Sequence, residues 1–181
     1  MRIIAGNWRG RPLIAPKGTE TRPTADRTRE ALFSMLVSRL GTLDGLRVLD
    51  LFAGSGALGL EALSRGAAHC TFVEQDSAAL DALRTNIAKL GAAPQCDVRA
   101  QSVMALGPAI APYDLLLLDP PYRSGAGVVA LERCLRLGWL APGALVTVET
   151  AKGEAVTVEG FEAEAERVHG KAMITVLRAT D

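Results

Sequence analysis

From Gly45 onward the chain alternates short apolar runs with amphipathic stretches, and that alternation leaves few ways to fold. Strands are expected at Arg47–Leu51, Cys70–Glu74, Gln95–Arg99, Asp114–Leu118 and Ala144–Glu149. Helical periodicity fills the gaps at Leu58–Ser64, Ser77–Leu90, a short piece near Ser102–Leu106, and Val128–Leu137. Strands this short and this apolar belong in a parallel sheet covered by helices on both faces, an α/β fold. The tail changes character, with strand patterns at Val156–Val158, Glu164–Val168 and Met173–Arg178 and a turn at Gly170. It reads as an antiparallel hairpin closing one sheet edge.

The front of the chain obeys a different pattern. Residues 1–23 are rich in Gly, Pro, Arg and Thr, with Ile3-Ile4 and Leu13-Ile14 as strands of a small hairpin or arm. From Thr24 to Leu40 the pattern turns helical, with Pro23 before it, Thr24 able to cap it, and Ala31, Leu32, Met35, Leu36 and Leu40 near one face. The expected organisation is a basic arm over 1–23 and one globular unit over 24–181.

Net charge is zero, but residues 1–39 hold eight basic and three acidic side chains, a local +5 against −5 for the remainder. Phosphate contacts concentrated at the front would explain this, and so would an ordinary surface of mixed charge. The first residues lack the apolar stretch of a signal peptide. No apolar run approaches the roughly 20 residues that span a bilayer, so a cytoplasmic protein without membrane contact is expected. Cys70, Cys96 and Cys134 lack CxxC spacing and His69 and His169 stand alone, which predicts reduced thiols and no metal.

The first strand runs into Asp50-Leu51-Phe52-Ala53-Gly54-Ser55-Gly56-Ala57-Leu58-Gly59. Glycines at a strand-to-helix turn let backbone approach a nucleotide and leave amides free at the helix start. Glu74, followed by Gln75, ends the second strand, where a carboxylate can accept the hydrogens of a ribose diol. Gly54, Gly56 and Gly59 fit GxGxxG, so the loop alone admits NAD as well as S-adenosylmethionine (AdoMet). Asp50, inside the strand, could hold the loop or meet a cationic amino-acid moiety.

The fourth strand ends in Asp119-Pro120-Pro121-Tyr122, at the edge where open α/β sheets place ligands. An exocyclic amine on adenine or guanine has its lone pair delocalised into the ring and is a poor nucleophile. The Asp119 carboxylate and the Pro120 carbonyl can accept its two N–H bonds and favour a pyramidal nitrogen. Two prolines stiffen the turn and remove competing donors. Tyr122 offers a ring face to a base drawn from its stack.

Phe52–Gly56 resembles motif I of the class I methyltransferases, and with Asp119–Tyr122 it looks like the group that methylates adenine N6 or guanine N2. The segments Arg2–Arg11 and Arg22–Phe33, and the stretch Phe52–Arg65, are similar to the RsmD family. That resemblance covers nearly the whole chain. It implies a Rossmann-like fold with a mostly parallel seven-stranded sheet, and transfer from AdoMet to guanine N2 of 16S ribosomal RNA in the small subunit or its assembly intermediate. Carried onto this sequence, it places AdoMet against Asp50, Phe52, Ala53, Gly54, Ser55, Gly56, Glu74, Gln75 and Asp119. Asp119, Pro120, Pro121 and Tyr122 would hold the base, with Arg22, Pro23 and Thr24 nearby. Where the family often has Asp or Asn to meet the adenine amine, this chain offers Ser102, or Gln101 beside it. Trp8 could stack on RNA while Arg9 and Arg11 take phosphates, or it could simply anchor the arm. A monomer is expected. Three rivals stay open: an adenine-N6 methyltransferase, an NAD-dependent oxidoreductase, and a non-catalytic assembly factor that binds AdoMet.

Overall fold

The structure, a computed structural model, describes residues 1–17 and 23–180. Seven strands form one sheet: β1 (Arg47–Leu51), β2 (His69–Glu74), β3 (Cys96–Ala100), β4 (Tyr113–Leu118), β5 (Leu140–Ala151), β6 (Phe161–His169) and β7 (Ala172–Ala179). Their order is β3-β2-β1-β4-β5-β7-β6. The first five run parallel, whereas β7 lies antiparallel between β5 and β6. This is the Rossmann-like sheet with a C-terminal hairpin that the sequence implies.

Side-chain alternation along the strands sorts the core into two layers. Val48, Leu115 and Leu117 point to one face, where helices α1 (Pro23–Leu40), α2 (Ala57–Ser64) and α3 (Ser77–Leu90) bury Leu36, Leu60 and Leu83. Leu49, Leu116 and Leu118 point to the other, under α4 (Ala126–Arg136) and its Leu131 and Cys134. A strand buried on both sides has no polar positions, which is why β4 reads as a run of leucines. At Gly59 a Cβ would come within 2.4 Å of the Phe72 ring and 2.6 Å of Cys70 Sγ. That glycine is what lets α2 lie so close to β2.

Most boundaries shift by one to three residues from expectation, and two departures are larger. β5 starts at Leu140 and ends at Ala151, longer than Ala144–Glu149. Val156–Val158 is not a strand, because both sides of β5 are already paired, to β4 and β7. The two valines are buried all the same, packed as a loop on the α4 layer.

Residues 1–17 are bound into the body. Ile3 donates its N–H to the Arg11 carbonyl and Leu13 to that of Met1, with a single antiparallel bridge between Arg2 and Pro12. The buried Glu61 carboxylate of α2 accepts the amides of Ile4 (2.9 Å) and Ala5 (3.1 Å). Ser64 Oγ accepts the Trp8 amide and donates to the Ala5 carbonyl. Gly6 sits so tightly on α2 that a Cβ there would overlap the Ser64 carbonyl.

Candidate active site

The chain builds β1, β2 and β3 outward in one direction, then crosses back to place β4 on the other side of β1. A crevice opens at such a reversal, beyond the carboxyl ends of the strands. Leu51 pairs with Leu118, so the glycine loop leaving β1 and the Asp-Pro-Pro-Tyr turn leaving β4 emerge side by side. Both turns are held in costly backbone. Phe52 and Arg123, each at φ 58°, are the non-glycine residues with positive φ among those described, and one lies in each turn. Such conformations persist only where the surroundings impose them.

Asp50 is buried beneath the glycine loop, and its Oδ2 accepts the Gly59 amide at 2.9 Å. Its other oxygen has no protein partner. Burial pushes its carboxyl well above the usual range, and nearby Asp119 and Glu74 add to the rise against the Gly59 bond. Ala53 is tied to β2 through its amide and the Val73 carbonyl, and Gly54 and Gly56 turn the loop at positive φ. The Ser55 carbonyl accepts the side-chain amide of Asn86 on α3. Gly56 at the start of α2 has no side chain to cap it, and of the first-turn amides Asp50 takes that of Gly59.

Glu74 organises its own surroundings. Its Oε1 accepts the Gly54 amide at 2.8 Å, while Oε2 accepts those of Gln75 and Asp76 at 2.9 and 2.8 Å. A carboxylate offers about four acceptor sites, so Oε1 keeps one for a hydroxyl. Gln75 itself is exposed. Ser102 caps a short 3-10 turn, accepting the Met104 amide at 3.1 Å.

On the other side, Asp119 is exposed as a residue, with its carboxyl near that of Glu149. Burial, then the neighbouring Glu149, push it up to about 8. Pro120 is buried against α4, and Ser124 donates to the Pro121 carbonyl at 2.6 Å. Tyr122 is half exposed and donates its hydroxyl to Glu149 Oε2 at 3.0 Å. Burial and that carboxylate keep the phenol protonated. Glu154 Oε1 accepts the amides of Arg123 (2.7 Å) and Ala151 (3.2 Å), bracing the turn from the loop after β5.

Glu149 and Glu154 were not singled out from the sequence. Glu149 was visible as the last polar residue of an apolar strand beside β4, but its partner Tyr122 lies 27 positions away. The carboxylates also bear on the cofactor. Asp50, Glu74 and Asp119 would repel the diphosphate of a dinucleotide and attract a sulfonium and an ammonium. This donor set fits AdoMet and not NAD.

The residues expected to meet RNA are dispersed. Trp8 is half buried against the core and Arg9 is exposed. Arg11 donates to the Lys89 carbonyl at 2.8 Å, in the last turn of α3. That is roughly 18 Å along α3 from its start beside Glu74, at 1.5 Å per residue. The chain then turns back, because Asn86 bonds both the amide and the carbonyl of Ile14 as well as Ser55. Pro23 and Thr24 begin α1, and Arg22 lies outside the described residues.

A glycine loop on β1, an acidic residue ending β2 and an Asp-Pro-Pro-Tyr turn on β4 define a class I methyltransferase. Residues 1–178 match the family model described as conserved hypothetical protein 95. The chain belongs to that family, the RsmD family. It is 43% identical over 154 residues to Ribosomal RNA small subunit methyltransferase D of Escherichia coli, covering 83% of this chain and 74% of the relative. The protein of the same name from Haemophilus influenzae is 38% identical over 175 residues, 94% of this chain and 89% of that one. Among solved structures, the Escherichia coli protein yhhF superposes with a TM-score of 0.85 at 35% identity, covering 99% and 98% of the two chains. The oxidoreductase reading ends here.

Proposed function

We propose that this chain transfers the methyl group of AdoMet to the exocyclic N2 of a guanine in 16S ribosomal RNA, acting as a cytoplasmic monomer on the small subunit or its assembly intermediate. The observation that supports this most is the pairing of Leu51 with Leu118, which sets a cofactor loop and an amine-binding turn side by side. No helix among the described residues is long and apolar enough to cross a membrane.

Bound AdoMet supplies an electrophilic methyl on a cationic sulfur. Glu74 and the Phe52–Gly56 loop hold the nucleoside end, with Ser102 or Gln101 toward its adenine. The Asp119 carboxylate and the Pro120 carbonyl accept the two N2 hydrogens and aim the nitrogen lone pair. Tyr122 backs the base with its ring, its edge fixed by Glu149. Methylated nitrogen is acidic, so no strong base is needed beforehand, and Asp119, raised to about 8, can take the proton afterwards. Positioning and fixed charges account for most of the rate.

Labelled AdoMet offered to unmethylated small subunits, naked 16S rRNA and duplex DNA, followed by nucleoside analysis, tests the reading. N2-methylguanosine on subunit RNA supports it. Label on adenine would replace it with an adenine-N6 activity, and binding without transfer would favour an assembly factor.

Two further outcomes are expected. Glu74→Ala removes both the loop anchor and an acceptor for the ribose, so calorimetry should show AdoMet binding weaker by about 1.5–3 kcal/mol, roughly 10- to 150-fold. Unchanged affinity would take Glu74 out of the cofactor site. Arg9→Ala with Arg11→Ala should weaken subunit binding and flatten its salt dependence by about 1.4–1.8 in log–log slope. A slope that does not move would leave Arg11 only its bond to Lys89.

A further inference from the structure

The reactive edge of guanine carries three hydrogens, two on N2 and one on the adjacent N1. The Asp-Pro-Pro-Tyr turn supplies acceptors for two of them, the Asp119 carboxylate and the Pro120 carbonyl. An N–H left unpaired in a closed pocket is costly, so guanine needs a third acceptor beside the first. Adenine makes no such demand, because its N6 amine has two hydrogens and its N1 is a lone pair. The third acceptor is therefore where the two bases can be told apart.

We propose that Glu149 accepts the N1–H of the target guanine and selects guanine over adenine, an assignment that rests on the guanine-N2 reading above. Leu118 pairs with Val148, so the next residues, Asp119 just past β4 and Glu149 near the end of β5, stand side by side. Glu149 Oε2 holds the Tyr122 hydroxyl at 3.0 Å, which ties the carboxylate to the ring that faces the base. Its Oε1 has no protein donor among the described residues, and the side chain is half buried without being closed off.

The neighbouring carboxylates are committed elsewhere. Asp50 lies buried under the glycine loop, Glu74 takes three amides and keeps its remaining acceptor on the loop side, and Glu154 braces the turn from behind. Asp50 also keeps an unpaired oxygen, but it is sealed from a base, whereas Glu149 keeps an open oxygen beside Asp119 and is only half buried. An adenine placed there would set its N1 lone pair against a carboxylate, which is repulsive.

The discriminating probe is 2-aminopurine, which keeps the N2 amine of guanine and carries a lone pair at N1. Small subunits are reconstituted with guanine or 2-aminopurine at the methylated position, and single-turnover transfer is measured at saturating AdoMet. The wild-type protein should prefer guanine by roughly 100-fold or more, as expected where a site hydrogen-bonds a group that the analogue lacks. In Glu149→Gln, whose amide can donate to N1 as well as accept from it, that preference should fall by about tenfold or more. AdoMet affinity should stay within about twofold, since Glu149 is not placed against the cofactor. Tyr122→Phe removes the hydroxyl and leaves the carboxylate, so the preference should persist.

An unchanged preference in Glu149→Gln, with both substrates slowed alike, would reduce Glu149 to a holder of Tyr122 and overturn the proposal. Equal use of both bases by the wild-type protein would overturn it with no variant at all. Transfer to guanine N2 with either of those results leaves the function standing, whereas wild-type label on adenine would remove both.

Discussion

Asp119→Asn is expected to slow methyl transfer by roughly 10²–10³-fold, the scale on which preorganised polar groups act at a reacting centre, while making the folded protein more heat-resistant at alkaline pH. The two effects share one cause. The folded protein raises this carboxyl from 3.8 to about 8 through burial and the Glu149 charge. Below pH 3.8 both folded and unfolded chains hold the proton and nothing is lost. Between about 4 and 8 the unfolded chain ionises first, so stability drains away as pH rises and levels off above 8. Asparagine cannot ionise and escapes that loss. Melting curves of the two proteins should coincide near pH 4, separate progressively toward pH 8 and stay apart by a constant amount above it. Binding a cationic cofactor draws the carboxyl back to its anion, so AdoMet affinity should rise across the same range with release of a proton. S-adenosylhomocysteine, which lacks the sulfonium charge, should show a weaker effect. Parallel melting curves would mean that Asp119 is not crowded in solution, and retained transfer would remove it from the chemistry.

That coupling explains which parts of the site could be read from the chain. Asp119, Gly54, Gly56 and Glu74 announce themselves because each lies at the end of an apolar strand, and strand ends at a sheet reversal are where ligands sit. The α/β order was equally plain, since β1 and β4 are short, apolar and bounded by turns. The valines at 156 and 158 misled because alternation signals a buried side, not a hydrogen-bonded partner, and β5 had no free edge to offer. Glu149 was hidden for another reason. A carboxylate gains a role only from what faces it, and its partners come from β4 and the turn beyond. Arg9 and Arg11 carry charge that is evident in the sequence, but their distance from Asp119 depends on how the front of the chain folds back along α2 and α3.

That folding back hangs on one side chain, and Glu61→Ala should show it. Glu61 is fully buried in α2, and a buried carboxylate survives only if paired and hydrogen-bonded. It accepts the amides of Ile4 and Ala5, takes Arg65 Nε at 2.9 Å, and faces the buried Arg29 guanidinium at 3.5 Å. Arg29 in turn reaches the Arg2 carbonyl and Asp26. Removing the carboxylate leaves two amides unpaired and the buried Arg29 with Asp26 as its remaining carboxylate, at a cost of about 3–5 kcal/mol, or roughly 6–20 °C in melting temperature for a chain of this size. Glu61→Gln should fall between, because its amide keeps one acceptor and loses the charge. Hydrogen exchange at Ile4, Ala5 and Trp8 should quicken in both variants before the sheet does, since those amides lose their anchor first. AdoMet binding depends on groups at the other end of α2 and should hold at temperatures where the variant is folded. Transfer to small subunits should then fall further than cofactor affinity if residues 1–17 contact RNA. Equal losses of both would make the segment a structural clasp, and an unshifted melting temperature would mean that Glu61 does not bind it at all.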